Sequence, residues 1–220
     1  VREVARAIGT DSRIGPKFLS AGPGFGGSCF QKDILNLVYL CRHFGLPEVA
    51  DYWEGVVALN TWQQHRIARL VVQKLFGTVT GKRLAILGFA FKADTNDTRE
   101  APAIRICQDL LEEGAQLVIH DPKVTAQQIA RDLQQEASPQ PDALSGSGSW
   151  ARANSVEDAV MGADAVLVLT EWQHYRDLNW QALAARMRKP AWVFDARAVA
   201  DPAQIKAAGL SLWRVGDGEG

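Results

Sequence analysis

At 220 residues, 47% hydrophobic and 22% charged, the chain can bury one substantial core with an appended element and has the balance of an ordinary globular protein. A net charge of −1 gives no basic footprint for nucleic acid or an anionic membrane surface, and no apolar run approaches the roughly 18 residues of a membrane span. The three cysteines, Cys29, Cys41 and Cys107, argue by their odd number and scatter against a disulfide framework and for a reducing, cytoplasmic setting. The opening Val-Arg-Glu has no initiator Met and no signal-like stretch, so it reads as the interior of a longer protein.

Residues 1–45 read as a helix end, a glycine-rich loop and a helix closed by Gly45 and Pro47. The most informative stretch is Gly22-Pro-Gly-Phe-Gly-Gly-Ser-Cys-Phe-Gln-Lys-Asp33. Its glycines admit backbone angles closed to other residues and let the main chain approach a ligand. Ser28 is the expected N-cap of the helix carrying Ile34, Leu35, Leu37, Val38 and Cys41. That places Cys29 in the first turn, where unpaired N–H groups and the helix dipole favour a thiolate. Asp33, one turn on, shares the face of Cys29. Two readings stand side by side: a presented nucleophile with a carboxylate behind it, or a small packed cysteine beside a carboxylate that caps the helix or pairs with Lys32 or Arg2.

A helix is expected from about Glu48 to Phe76, stopped by Gly77; at about 1.5 Å per residue it would run roughly 43 Å. Its apolar stripe Val49, Trp53, Val56 is broken by Asn60 and Gln64 and resumes at Ile67, Val71 and Leu75, with Trp62 alongside. Such a rod needs partners on more than one side, either within one domain or as a connector that also forms a subunit interface.

From Lys82 short aliphatic runs (84–87, 117–120, 165–169, 192–194, 210–215) alternate with helical stretches (about 101–113, 125–134, 173–187, 202–208), the pattern of a parallel sheet covered by helices. The fold class is therefore α/β: a Rossmann-like sheet domain over 78–220 preceded by a helical segment over 1–77. Within the former, residues 135–154, rich in Ser, Pro, Gly and Gln, read as a flexible surface insertion. Cys41 and Cys107 fall among apolar residues as core, and no metal site is read.

In open parallel sheets ligands bind beyond the carboxyl ends of the strands. Here those ends carry Phe91-Lys92-Ala-Asp94, Asp121-Pro-Lys123, Thr170-Glu-Trp172 and Asp195-Ala-Arg197. The first βα turn, Gly88-Phe-Ala-Phe-Lys92, lacks Gly-x-Gly-x-x-Gly spacing and so is not read as a dinucleotide site. A mononucleotide fits it better, with Lys92 and Arg197 meeting phosphates and sugar, unless either is a solvated surface cation.

Three segments in order, Gly24 to Asp33, Gly88 to Glu100 and Phe194-Asp-Ala-Arg197, resemble motifs of the UDP-glucose 6-dehydrogenases, a branch of the nucleotide-sugar dehydrogenases. The resemblance implies oxidation of UDP-glucose to UDP-glucuronate in two hydride transfers to NAD, through a thiohemiacetal and a thioester on Cys29, with Asp33 orienting or deprotonating a water or a sugar hydroxyl. It implies substrate contacts from Ser20, Ala21, Gly22, Pro23, Gly24, Phe25, Gly26, Lys92 and Arg197, and from Arg13 across a homodimer. It also implies cofactor contacts from Cys29, Lys32 and Arg99. The chain departs from the family pattern at Ser20, where many members have lysine, and at Ala198, where a second arginine is frequent. The family's upstream NAD-binding half is not present in this stretch, so the segment alone is expected to be inactive. The alternatives are a dehydrogenase of GDP-mannose or a UDP-N-acetylhexosamine, or a noncatalytic sugar-nucleotide-binding dimerisation module.

Overall fold

A computed structural model describes residues 1–138 and 147–218. Three helices come first: α1 (Arg2–Gly9), α2 (Phe30–His43) and α3 (Pro47–Lys74). Then strands and helices alternate: β1 (Arg83–Leu87), α4 (Pro102–Glu112), β2 (Gln116–His120), α5 (Ala126–Leu133), β3 (Ser149–Arg152), α6 (Val156–Val160) and β4 (Ala165–Val168). A 3-10 turn (Gln173–Tyr175) follows, then α7 (Trp180–Ala184), β5 (Trp192–Asp195), α8 (Pro202–Ala207) and β6 (Ser211–Arg214). No helix among the described residues is long and apolar enough to cross a membrane.

The six strands form one parallel sheet in the order β3-β2-β1-β4-β5-β6. In β4 every residue is buried, and in β1 all but the first, as expected of central strands covered on both faces. Helix starts follow local chemistry. Thr125 and Gln128 form a reciprocal capping box on α5, and Asp201 caps α8 ahead of Pro202.

Two apolar clusters organise the chain. The small one joins Ile34, Val38 and Cys41 of α2 to Ala50, Trp53, Val56 and Val57 of α3. The large one covers the sheet and includes Ile67, Ala68, Leu70, Val71 and Leu75 from the other end of α3. Cys41 and Cys107 are buried, and burial pushes the Cys107 thiol well up.

Three details differ from the sequence expectation, one of them being α6 (Val156–Val160), which falls between the expected helical stretches. Ser149–Arg152, inside the stretch read as a flexible insertion, is the edge strand β3. It is fixed by buried Trp150, whose Nε1 donates to Gln135 O at 2.9 Å while its carbonyl accepts from Ser138 N at 2.8 Å; residues 139–146 lie outside the described ones. The N-cap of α2 is Cys29 rather than Ser28, and it makes no side-chain capping bond. Ser28 Oγ instead lies 3.6 Å from Cys29 Sγ.

Candidate functional site

Strand order reverses between β1 and β4, the point at which doubly wound sheets open a crevice at their carboxyl edge. Arg197, two residues past β5, crosses that crevice. Its Nε donates to Leu169 O at 2.9 Å and its Nη2 to Phe91 O at 3.0 Å, tying the end of β4 to the turn after β1. Its side chain is only 16% exposed, and Glu171 Oε2 sits 3.2 Å from Nε. Burial lowers the guanidinium pKa, and Glu171 opposes that shift. Glu171 Oε1 also accepts from Ala93 N at 3.3 Å, so one carboxylate steadies both walls. Ala198 then turns the chain at φ 53°, and Arg2 Nη2 donates to its carbonyl at 2.6 Å.

The turn after β1 has its amides occupied. Phe89 N and Ala90 N both donate to Asp121 Oδ2, at 2.7 and 3.1 Å, and Trp172 Nε1 reaches the same oxygen at 3.2 Å. Asp121 Oδ1 accepts from Lys123 N and Val124 N at 2.9 and 3.1 Å. A buried carboxylate thus sits where the N–H groups of a dinucleotide-binding turn would receive phosphate.

Against this crevice lies the cysteine loop, clamped from two sides. On the α3 side Asn60 Oδ1 accepts from Phe25 N at 2.8 Å and Asn60 Nδ2 donates to Phe25 O at 3.1 Å; Gln63 Nε2 donates to Gly22 O at 3.0 Å. Gln64 adds a long contact to Phe25 O at 3.5 Å and receives Arg105 Nε from α4 at 3.2 Å. Gly24 runs at φ 120° so close to Asn60 that a Cβ there would lie 2.6 Å from Oδ1. On the sheet side Gly27 N donates to Arg99 O at 2.8 Å, and a Cβ on Gly26 would collide with the Glu100 carbonyl. The Phe25 and Phe30 rings meet edge to face at 4.7 Å.

This clamp brings most of the sequence-read residues to one edge. Cys29 is exposed at the start of α2, and Asp33 follows one turn on, its amide donating to Cys29 O at 2.8 Å. Lys32 and Arg99 line one open cleft of ≈ 410 Å³ with Gly27, Ser28 and Leu35. Arg99 forks onto Asp97, with Nε to Oδ1 at 2.9 Å and Nη2 to Oδ2 at 2.7 Å. That pairing raises its pKa, and Cys29 is close enough to contribute. Gly22 faces Arg197 Nη1, while Ser20 and Ala21 line a second cavity beside Arg197. Lys92 is exposed, its Nζ over the Phe91 ring at 5.3 Å. Arg13 stands apart: its side chain is 87% exposed and its guanidinium forks onto Asp11 at 3.0 and 2.6 Å.

The sequence reading notes Asn60, Gln64, Asp121 and Glu171 without a role for any of them, and does not single out Gln63. The signal for Asn60 and Gln64 was present, as amides interrupting an otherwise apolar stripe; both are buried. Asp121 carried the weaker signal of a carboxylate directly after a buried strand.

A model of the UDP binding domain of the UDP-glucose/GDP-mannose dehydrogenase family matches residues 85–202, and one of the family's central domain matches residues 1–62. The chain is 48% identical over 223 residues to UDP-glucose 6-dehydrogenase 2 of Oryza sativa subsp. japonica, covering 98% of this chain and 46% of that protein. Against UDP-glucose 6-dehydrogenase of Drosophila melanogaster it is 46% identical over 220 residues, with 98% and 45% covered. The chain therefore spans about half the length of these curated relatives. Among solved structures it resembles a UDP-glucose dehydrogenase from the hyperthermophilic archaeon Pyrobaculum islandicum with a TM-score of 0.72 and 25% identity, over 96% of this chain and 42% of that one. The loop that presents Cys29 and the sheet edge that carries Arg197 thus fall within matches to the same family, and the chain belongs to the UDP-glucose/GDP-mannose dehydrogenase family.

Proposed function

We propose that the chain is the cysteine-bearing, sugar-nucleotide-binding half of an NAD-dependent UDP-glucose 6-dehydrogenase that makes UDP-glucuronate. The observation that carries this reading is the clamp on the 22–29 loop, which sets Cys29 and the Arg197 crevice on one continuous edge. The identity to UDP-glucose 6-dehydrogenases supports UDP-glucose as the substrate.

Taking a primary alcohol to a carboxylate requires loss of two hydrides with an aldehyde between them. The Cys29 thiolate adds to the aldehyde carbon, and the resulting thiohemiacetal keeps the intermediate from escaping. Loss of the second hydride leaves a thioester; water adds to its carbonyl, the C–S bond breaks, and acid and thiol are released. Asp33, on the exposed face one turn behind Cys29, is the group to orient or deprotonate that water. NAD, when bound, supplies the acceptor for each hydride. Lys32, Arg99 and the apolar wall of Leu35 fit one end of such a dinucleotide, with two cations for phosphate beside a surface that can take a ring. The occupied amides at Asp121 favour placing the dinucleotide there rather than on the sheet turn, and the relatives' greater length supports further chain supplying the rest of its site.

A homodimer completes the reading. Arg13, Ile14 and Phe18 are exposed on one loop; α2 and α3 expose Tyr39, Tyr52, Leu59 and Trp62, and Phe44 is exposed just past the end of α2. An apolar display of that extent marks an interaction surface, and a second copy would let Arg13 act on its neighbour's substrate.

Calorimetry on the full-length enzyme tests the ligand placement. Lys92→Ala should weaken UDP-glucose binding by about tenfold, the worth of one charge-assisted contact, and leave NAD binding nearly unchanged. The reverse pattern would show that the two ligands have been placed in the wrong halves, and tighter wild-type binding of GDP-mannose would reassign the sugar nucleotide.

A further inference from the structure

A serine just before a helix ordinarily gives its hydroxyl to the amides of the first turn. Ser28 does not. The cap position of α2 belongs to Cys29, no side chain serves the first-turn amides, and Ser28 Oγ lies 3.6 Å from Cys29 Sγ. Among the described residues that sulfur is the hydroxyl's one hydrogen-bond partner. Sulfur is larger than oxygen and its hydrogen bonds are correspondingly longer, so the hydroxyl is placed to donate to a thiolate. The pair is also held from both sides. Gly27 N donates to Arg99 O at 2.8 Å, and Gly27 sits at φ 89° with the Phe91 ring so near that a Cβ there would lie 3.0 Å from it. On the other side Cys29 O accepts from Asp33 N at 2.8 Å. Ser28 and Cys29 are thereby fixed between a turn packed on the sheet domain and the first turn of α2.

The charge on this sulfur changes as the reaction proceeds. Negative charge leaves Sγ when the thiolate adds to the aldehyde and returns to it when the thioester breaks. Only an interaction that strengthens on the way to the transition state accelerates a step. A donor fixed on sulfur therefore gives no help to addition and lowers the barrier to departure. In the hydrolysis, water forms the new C–O bond and passes one proton to Asp33, the C–S bond breaks, and its electron pair goes to Sγ, where the Ser28 hydroxyl meets it. We propose that Ser28 is a further catalytic residue, its hydroxyl stabilising the Cys29 thiolate as it leaves the thioester. This rests on the reading of the chain as part of a dehydrogenase that acylates Cys29.

The test is rapid-quench kinetics of the full-length enzyme with UDP-glucose and NAD, read by intact-protein mass spectrometry after an acid quench, beside steady-state rates. Ser28 is not buried and its hydroxyl bonds only to the sulfur, so Ser28→Ala should keep the melting temperature. It should lower kcat by about tenfold, the scale of one charge-assisted hydrogen bond. KM for UDP-glucose should fall with it as acylated enzyme accumulates, leaving kcat/KM nearly unchanged. The quenched variant should carry more of the uronyl adduct on Cys29 than the wild type, and Ser28→Thr, which keeps the hydroxyl, should restore turnover. Wild-type kcat in Ser28→Ala would overturn the proposal. So would a lower kcat/KM with no added adduct, the mark of a residue that only shapes the loop. A wild-type enzyme that forms neither UDP-glucuronate nor an adduct would instead overturn the functional reading on which the proposal rests.

Discussion

Asn60 and Phe25 exchange two hydrogen bonds, from the Phe25 amide to Asn60 Oδ1 and from Asn60 Nδ2 to the Phe25 carbonyl, at 2.8 and 3.1 Å. One buried side chain thereby substitutes for a strand partner and fixes the loop four residues before Cys29. Asn60→Leu strips both bonds at once, leaving the half-buried Phe25 amide unpaired and its carbonyl with only the long Gln64 contact, a loss of about 1–3 kcal/mol for the unpaired group. The expected outcome is a full-length enzyme that still folds but whose kcat/KM drops by about a hundredfold, the scale on which small displacements of reacting groups act. Steady-state kinetics alongside a urea melt separate the two effects, and unchanged kcat/KM would show that the clamp does not position Cys29.

Cys29→Ser in the intact enzyme should remove acid production while UDP-glucose binding survives, because serine retains the shape but is the weaker nucleophile at neutral pH. Product analysis by chromatography decides the matter. Undiminished UDP-glucuronate from the variant would move the covalent step off Cys29.

The exposed apolar face of α2 and α3 should bring two chains together. Sedimentation of the 24.1 kDa chain is expected to give about twice that mass at tens of micromolar, and Tyr52→Glu with Leu59→Glu to give the monomer. A monomer before any substitution would remove the subunit-crossing role of Arg13.

His120 makes stability depend on pH. Its Nδ1 lies 3.0 Å from Tyr175 Oη, whose own proton goes to the His120 carbonyl at 3.0 Å, so the ring nitrogen is the donor in that pair. Burial lowers the imidazole pKa, and His174, edge-on at 5.8 Å, lowers it further. The unfolded chain takes up this proton near the ordinary value of about 6.5 while the folded chain resists it. The unfolded state therefore binds more protons below that pH, and stability falls as pH falls. Asp195, whose carboxyl burial pushes up, acts in the opposite sense, so the readout is a difference. The urea midpoint should drop less between pH 7 and pH 5.5 in His120→Gln, which keeps a donor for Tyr175, than in the wild type. Equal drops would remove His120 from the account.

Much of the fold was legible because it is written in periodicity. The run 84–87 is aliphatic throughout, as a central strand buried on both faces must be, and Pro47 and Gly77 bracket the long helix. β3 was illegible because four residues on an edge, with one buried tryptophan, do not rise above a Ser- and Gly-rich background. In the site, Cys29 and the glycines announced themselves through unusual composition. The arginines of the second cavity did not: Arg2 and Arg6 lie on α1 and Arg176 follows the 3-10 turn, and only the folded sheet edge brings them beside Arg197. Asp121 read as one of several polar groups at strand ends, and its consumption of two turn amides emerges only from the geometry.

Helix α3 touches three things in succession: α2 through Ala50 to Val57, the cysteine loop through Asn60 to Gln64, and the sheet core through Ile67 to Leu75. Because successive helical residues are about 100° apart, these three contacts share a single angular phase. One residue inserted after Val57 would swing the amides off Phe25 and Gly22, or else unscrew the sheet from the helix, since both cannot be kept. The rod thus behaves as a camshaft whose lobes are timed to one another, and the aim of Cys29 is set by a pitch angle as much as by any side chain beside it.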